Sequence, residues 1–153
     1  MATDPARIPV IIGVGQINDR PDDPMQGLDS TGLMAEAIRR ADADAGGGWL
    51  ERCDWLANVQ QMAFPGADVL GQLPQKLGIS PATRIEKPPY GDAPIQLISD
   101  AANAVAAGEA SVSSSSWFSA SFVKASALAS ITVQRPAVFR KYTRPSAAIG
   151  DAL

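Results

Sequence analysis

The sequence predicts a layered α/β domain, with the order β-α-β-α-β-α-β and helices covering the sheet. Three observations lead there. Residues 8–17 form a compact, β-branched apolar run without a single charge. Two longer segments repeat apolar residues at helical spacing. Glycines stand where each helix should stop, at 46 to 48, 78 and 108.

Taken in order, "IPVIIGVGQI" (8–17) reads as a central strand covered on both faces, because nothing in it is suited to water. "NDRPDDPMQG" is polar and rich in turn residues, hence a loop. Asp29 or Ser30 can cap a helix that sets Leu33, Met34, Ala37, Ile38 and Ala41 on one face and Glu36, Arg39 and Arg40 on the other. "CDWLANVQQM" (53–62) reads as a second strand. "DVLGQLPQKLG" (68–78) reads as a short helix with Leu70, Leu73 and Leu77 inward, kinked or shortened by Pro74. "ATRIEKPP" (82–89) is a shorter third strand. Asp92 can then cap a helix with Pro94 in its first turn, where a missing N–H costs little. Ile95, Ile98, Ala102 and Val105, widened by Leu97 and Ala101, make that helix apolar enough to be packed on more than one side. "EASV" opens a fourth strand.

Composition narrows the chemistry. The 153 residues suffice for one domain with a real core. Net charge is −3 and the 13 Lys and Arg residues are scattered, which leaves no electrostatic footprint for nucleic acid or an anionic membrane. No apolar run approaches the length of a membrane span, and the N-terminus lacks the pattern of a signal peptide, so a cytoplasmic protein is expected. The chain has no histidine and one cysteine. A His general base is therefore impossible within it, and neither a disulfide nor a metal site is expected. Cys53, between acidic and bulky apolar neighbours, reads as a packing residue. "GVGQIN" (13–18) places two glycines after an apolar strand, but Asn18 holds the third glycine position of a dinucleotide loop. Close packing of the strand against helices is the simpler reading of those glycines.

The succession of strand, capped helix, strand, short helix ending "KLGI", strand, turn and long helix ending "AAGEASV" resembles the N-terminal half of the thiolases. It is most similar to bacterial acetyl-CoA acetyltransferases and thiolase-like proteins of the branch related to sterol carrier protein thiolases. "RIPVIIGVGQINDRP" and "YGDAPIQLISDAANAVAAGEA" carry the resemblance, over residues 7–112. The resemblance implies an acyltransferase acting on a coenzyme A thioester, with no permanently bound cofactor. It also implies a homodimer and, for some related proteins, a small OB-fold partner. The family's nucleophile is a cysteine at the N-terminus of the long helix, assisted by a histidine from the C-terminal half. Gly91 occupies that position here. No catalytic residue is therefore expected. Tyr90, Gly91 and Asp92 are expected to form the substrate-binding turn, with Tyr90 lining a pocket. The function expected is that of a truncated, inactive N-terminal half. Two alternatives stand beside it: a non-catalytic thiolase-like subunit that binds acyl-CoA or a protein partner, and an unrelated α/β nucleotide-binding domain.

After Val112 the composition changes. Residues 113–153, beginning "SSSSWFSASFVKAS", form a Ser- and Ala-rich segment where the resemblance leads one to expect a Val-rich strand and a Gly-Glu pair. If the serines are TCG codons, the same bases shifted by one read GTC, valine. With GC-rich codons, the shift carries Trp117 to Ser121 into Val, Val, Leu, Gly, Glu. Two readings follow: a frameshift near codon 112 that leaves the tail outside the family's fold, or a variable strand with a flexible Ser-rich tail. Arg140, Lys141, Tyr142 and Arg144 read as solvated tail residues.

Overall fold

The computed structural model describes residues 8–62, 64–121 and 124–134. Five strands form one mixed sheet in the order β1-β5-β4-β2-β3, where β1 is Pro9–Asp19, β2 Trp55–Val59, β3 Thr83–Lys87, β4 Val112–Ser121 and β5 Lys124–Gln134. β2 is parallel to both β3 and β4, while β5 runs antiparallel to β4 and β1. Helices α1 (Ser30–Asp44) and α2 (Val69–Leu77) cover one face and α3 (Ala93–Ala107) covers the other. The crossovers β2-α2-β3 and β3-α3-β4 run in opposite directions across the sheet. A common right hand therefore puts α2 and α3 on opposite faces.

α1 forms as the sequence predicts. The Asp29 side chain accepts from the Gly32 N–H at its start, and Leu33, Met34, Ala37, Ile38 and Ala41 are buried. Gly46, Gly47 and Gly48, all at positive φ, turn the chain away from its end. The Asp42 carboxylate then accepts the N–H groups of Gly48, Trp49 and Leu50, which fixes the exit.

The run at 8–17 is an edge strand, not the central one expected. β5 inserts between it and β4, so among the described residues β1 has a single neighbour. A register shift between Ile11 and Gly13 then sets the alternation: Gly13, Gly15 and Ile17 are buried under α1, while Val14 is 61% exposed on the other face. The close-packing reading of the glycines holds. A Cβ on Gly13 would lie 2.0 Å from the Ala41 carbonyl oxygen, and one on Gly15 would lie 2.0 Å from that of Ala37.

Pro74 neither ends nor shortens α2, which continues to Leu77. Proline has no N–H to offer the Leu70 carbonyl one turn back. Arg84, from β3, donates to that oxygen from Nη1 at 3.3 Å and takes the missing donor's place. Asp68 caps the helix through the Gly71 N–H at 2.8 Å, and Gly78 at φ 70° ends it. Leu73 is fully buried, Leu70 and Leu77 are only partly so, and Val69 joins the core instead.

The sheet continues past the boundary expected at Val112. Val112–Ser121 forms β4, a strand flanked on both sides, and Lys124–Gln134 forms β5 beside it. The first part of the segment expected as a tail is thus built into the sheet. Asp54 ties the start of β4 to the start of β2: its carboxylate accepts from Ser111 N–H at 2.9 Å and from Val112 N–H at 3.2 Å. The remainder, with Arg140, Lys141, Tyr142 and Arg144, lies outside the described residues.

Candidate functional site

The parallel strands β2 and β3 end at the same edge of the sheet, where the Gln60 N–H donates to the Lys87 carbonyl at 2.8 Å. Five residues, Pro88 to Asp92, then lead into α3. Two prolines stiffen this passage, and the Tyr90 N–H donates back to the Pro88 carbonyl at 2.9 Å. The Tyr90 carbonyl in turn accepts from Ala93 N–H at 3.1 Å, which starts the helix. At the other side of the passage, Lys87 Nζ lies 2.7 Å from Asp100 Oδ2 and pins the end of β3 to α3. Chain crossing from strands to a helix N-terminus at such an edge is where α/β sheets commonly hold ligands.

The three expected site residues sit together on this turn. Gly91 faces open space: a Cβ built there meets nothing within 4 Å, and its φ is not positive. Glycine is required here neither by conformation nor by room. Tyr90 is 65% exposed, so the described residues do not enclose it in the pocket expected for it. Asp92 occupies the cap position, but its side chain makes no cap hydrogen bond. Its carboxylate accepts instead from Gln96 Nε2 at 2.6 Å, and only its backbone carbonyl caps, taking the Gln96 N–H at 3.0 Å. The φ of −96° and ψ of −4° already lie near helical values, unlike the extended backbone that lets Asp29 turn its carboxylate onto the first-turn N–H groups.

α3 faces the sheet through Ala93, Leu97, Ala101, Ala104 and Val105, packed against Trp55, Ala57 and Val59. Ile95, expected inward, is 66% exposed. Packing on a second side is therefore not made within the described residues. The broad apolar surface has a sheet-facing stripe and an outward remainder.

Sequence reasoning missed two polar residues at the end of β2. Asn58 is fully buried; its Nδ2 donates to the Val59 carbonyl and to Glu86 Oε1, each at 3.2 Å, while its Oδ1 has no partner among the described residues. Both polar side-chain atoms of Gln61 are likewise buried without a partner there. For Asn58 the signal was available, since it interrupts the otherwise apolar Trp55–Val59.

The single thiol is not part of this edge. Cys53 is buried before β2 and donates to the Trp55 carbonyl at 3.4 Å. Burial, reinforced by the Asp54 charge, pushes its pKa up to about 11 despite the bond to Trp55. No group of three or more His, Cys, Asp or Glu side chains comes together among the described residues, and no helix among them is long and apolar enough to cross a membrane.

No protein-family model matches the chain, and no curated protein matches it in sequence. Solved structures do match. An SCP2-thiolase-like protein type 1 from Mycobacterium smegmatis, described as monomeric, superposes with a TM-score of 0.64 at 26% identity, over 78% of this chain. OleA from Xanthomonas campestris, in a substituted form with bound lauric acid and lauroyl-CoA, gives a TM-score of 0.67 at 13% identity over 82%. The 3-oxoacyl-(acyl carrier protein) synthase III, FabH, from Xanthomonas oryzae gives 0.67 at 14% over 82%. The chain spans 25% of the length of the first protein and 56% of each of the others. The five-stranded mixed sheet and its three helices are those of a thiolase-like fold, and with the 26% identity to the SCP2-thiolase-like protein they place the chain in the thiolase superfamily.

Proposed function

We propose that these residues are the N-terminal half of an acyl-CoA-handling thiolase-like protein, and that on their own they turn over no acyl-CoA. The observation that carries the reading is Gly91: the strand edge, the stiff turn and the helix N-terminus are all present, and no nucleophile stands on them. Acyl transfer from a thioester begins when a thiolate attacks the carbonyl carbon and the coenzyme A thiolate leaves. The one thiol in the chain is buried and held protonated, and there is no histidine to take a proton. Asp92 weakens the turn further as an oxyanion site, because its negative charge already sits at the positive end of the α3 dipole. Acetyl-CoA as the substrate class, a homodimer, a small OB-fold partner and a cytoplasmic setting accompany this proposal on the strength of the sequence resemblance.

Intact-mass spectrometry after incubation with acetyl-CoA tests it. The protein as it stands is expected to gain no acetyl adduct. Gly91→Cys, which has room for its side chain, restores the thiol but not the histidine, so it is expected to gain an adduct only as rising pH ionises that thiol, one that CoA thiol removes. An adduct on the unsubstituted chain that hydroxylamine releases would refute the reading.

A second reading, a non-catalytic subunit that binds acyl-CoA or a protein, is favoured by the outward surface at Tyr90 and Ile95. A rise in melting temperature on adding CoA thioester to the unsubstituted chain would favour it over an inert half.

A further inference from the structure

One part of the core is built unlike the rest. Ser114, Ser115, Ser116, Ser130 and Thr132 are each at most 4% exposed, and none of their hydroxyl oxygens has a hydrogen-bond partner among the described residues. Of the serine run in β4, Ser113 alone finds an acceptor, the Thr132 carbonyl at 3.2 Å. The orphaned groups lie on adjacent strands in register: Ser114 pairs with Ile131, Ser115 with Ser130 and Ser116 with Ala129. Alternation distributes them to both faces. Ser114 and Ser116 share the side of Val112, Leu56 and Ile131, toward α1 and α2, whereas Ser115, Ser130 and Thr132 lie on the side of Trp55 and Ala57, toward α3.

A buried hydroxyl without a partner loses its hydrogen bonds to water and regains none, and a serine also leaves unfilled the volume that a branched apolar side chain would occupy. Here both losses fall on strands inside the sheet, beside neighbours that are mostly apolar: Leu56, Ala57, Ile131 and Val133 are all buried, and Asn58, paired with Ser116, is the polar exception on β2.

We propose that β4 and β5 form the weak seam of this fold: positions shaped for apolar, β-branched side chains are filled by hydroxyls. The seam opens as a unit before the remainder of the sheet, uncovering the apolar faces of α1 and α3 together. The inference rests on burial and missing partners in the structure. For Ser114, Ser115 and Ser116 it agrees with the shifted reading frame, which writes valine there, but it does not depend on it.

Hydrogen exchange on the intact chain, with two sets of variants, tests the seam. Amides of 113–117 and 127–133 are expected to exchange at least tenfold faster than those of Leu56, Ala57 and the buried turns of α1. Thr132→Val, which exchanges a hydroxyl for a methyl at constant shape, is expected to raise the melting temperature by about 2–4 °C. Ser114→Ala and Ser116→Ala, which remove a hydroxyl without adding volume, are expected to raise it or leave it unchanged. Ordinary protection in β4 would overturn the proposal. So would a lower melting temperature for Thr132→Val together with the alanine variants, since it would mean the hydroxyls are satisfied by internal water. The nucleotide sequence at codons 112 to 121 tests the reading frame separately, so each idea can fail without the other.

Discussion

Replacing Gly15 with alanine should unseat α1 from the sheet. The new Cβ would stand 2.0 Å from the Ala37 carbonyl oxygen, 2.6 Å from the Ala41 nitrogen and 3.0 Å from Arg40 Cβ. Two of these three are backbone atoms of a regular helix, so no side-chain rotation relieves them. Since ordinary contact begins near 3.4 Å, α1 must retreat by about 1.4 Å or β1 must leave its register. A gap of that size forfeits much of the dispersion contact that Leu33, Met34, Ala37, Ile38 and Ala41 make with the sheet. Overpacking with so rigid a neighbour should cost about 3 kcal/mol or more. In a chain of this length that lowers the melting temperature by roughly 6–12 °C. Urea unfolding followed by far-UV circular dichroism measures it. Gly91→Ala is the control: it meets open space at a φ that any residue can adopt, and should be neutral or stabilising by up to about 1 kcal/mol. A loss below about 1 kcal/mol for Gly15→Ala would refute the argument that close helix approach explains the glycine.

Three further outcomes follow from single interactions. Asp54→Asn keeps one acceptor but loses the charge that holds the Ser111 and Val112 N–H groups, so it should cost about 1.5–3 kcal/mol and speed exchange of those two amides. Arg84→Ala leaves the Leu70 carbonyl without its donor and should cost about 1 kcal/mol. In a Pro74→Ala background the restored N–H should reduce that cost, and a double-mutant cycle showing no coupling would contradict the replacement of one donor by the other. For Cys53, the buried thiol should resist alkylation at pH 8 until the chain unfolds. Its folded pKa is raised, so the unfolded chain loses this proton first as pH rises. Stability should therefore fall between about pH 9 and about pH 11, measured against Cys53→Ala, which should lack that slope.

Much of the local structure was legible in the sequence, because its causes are local. The inward face of α1, the cap at Asp29 and the glycine stops at 46 to 48, 78 and 108 depend on residues a few positions apart. The glycines at 13 and 15 likewise announced a close approach, although not to which helix. The turn at Tyr90, Gly91 and Asp92 was found from its prolines and the helix that follows, and the resemblance supplied the meaning of the missing side chain. Where reasoning along the chain failed at α2, a distant partner had intervened. Arg84 supports the helix that Pro74 was expected to kink or shorten; at Asp92 the cause is local, since backbone already near helical values turns the carboxylate to Gln96.

By itself, then, the sequence determined the element types up to Val112, most of their ends, the resemblance to thiolases and the absence of any histidine. Only the tertiary structure decided the position of each strand in the sheet. An apolar run such as residues 8–17 reads alike at the centre or the edge, because neighbours are chosen by pairing energies summed over the whole sheet. β5 takes the place beside β4, which leaves β1 with one neighbour among the described residues and an exposed Val14. The same pairing draws a serine run, expected as a frameshifted segment or a variable strand, into the interior, where Ser114, Ser115 and Ser116 have no hydrogen-bond partner among the described residues.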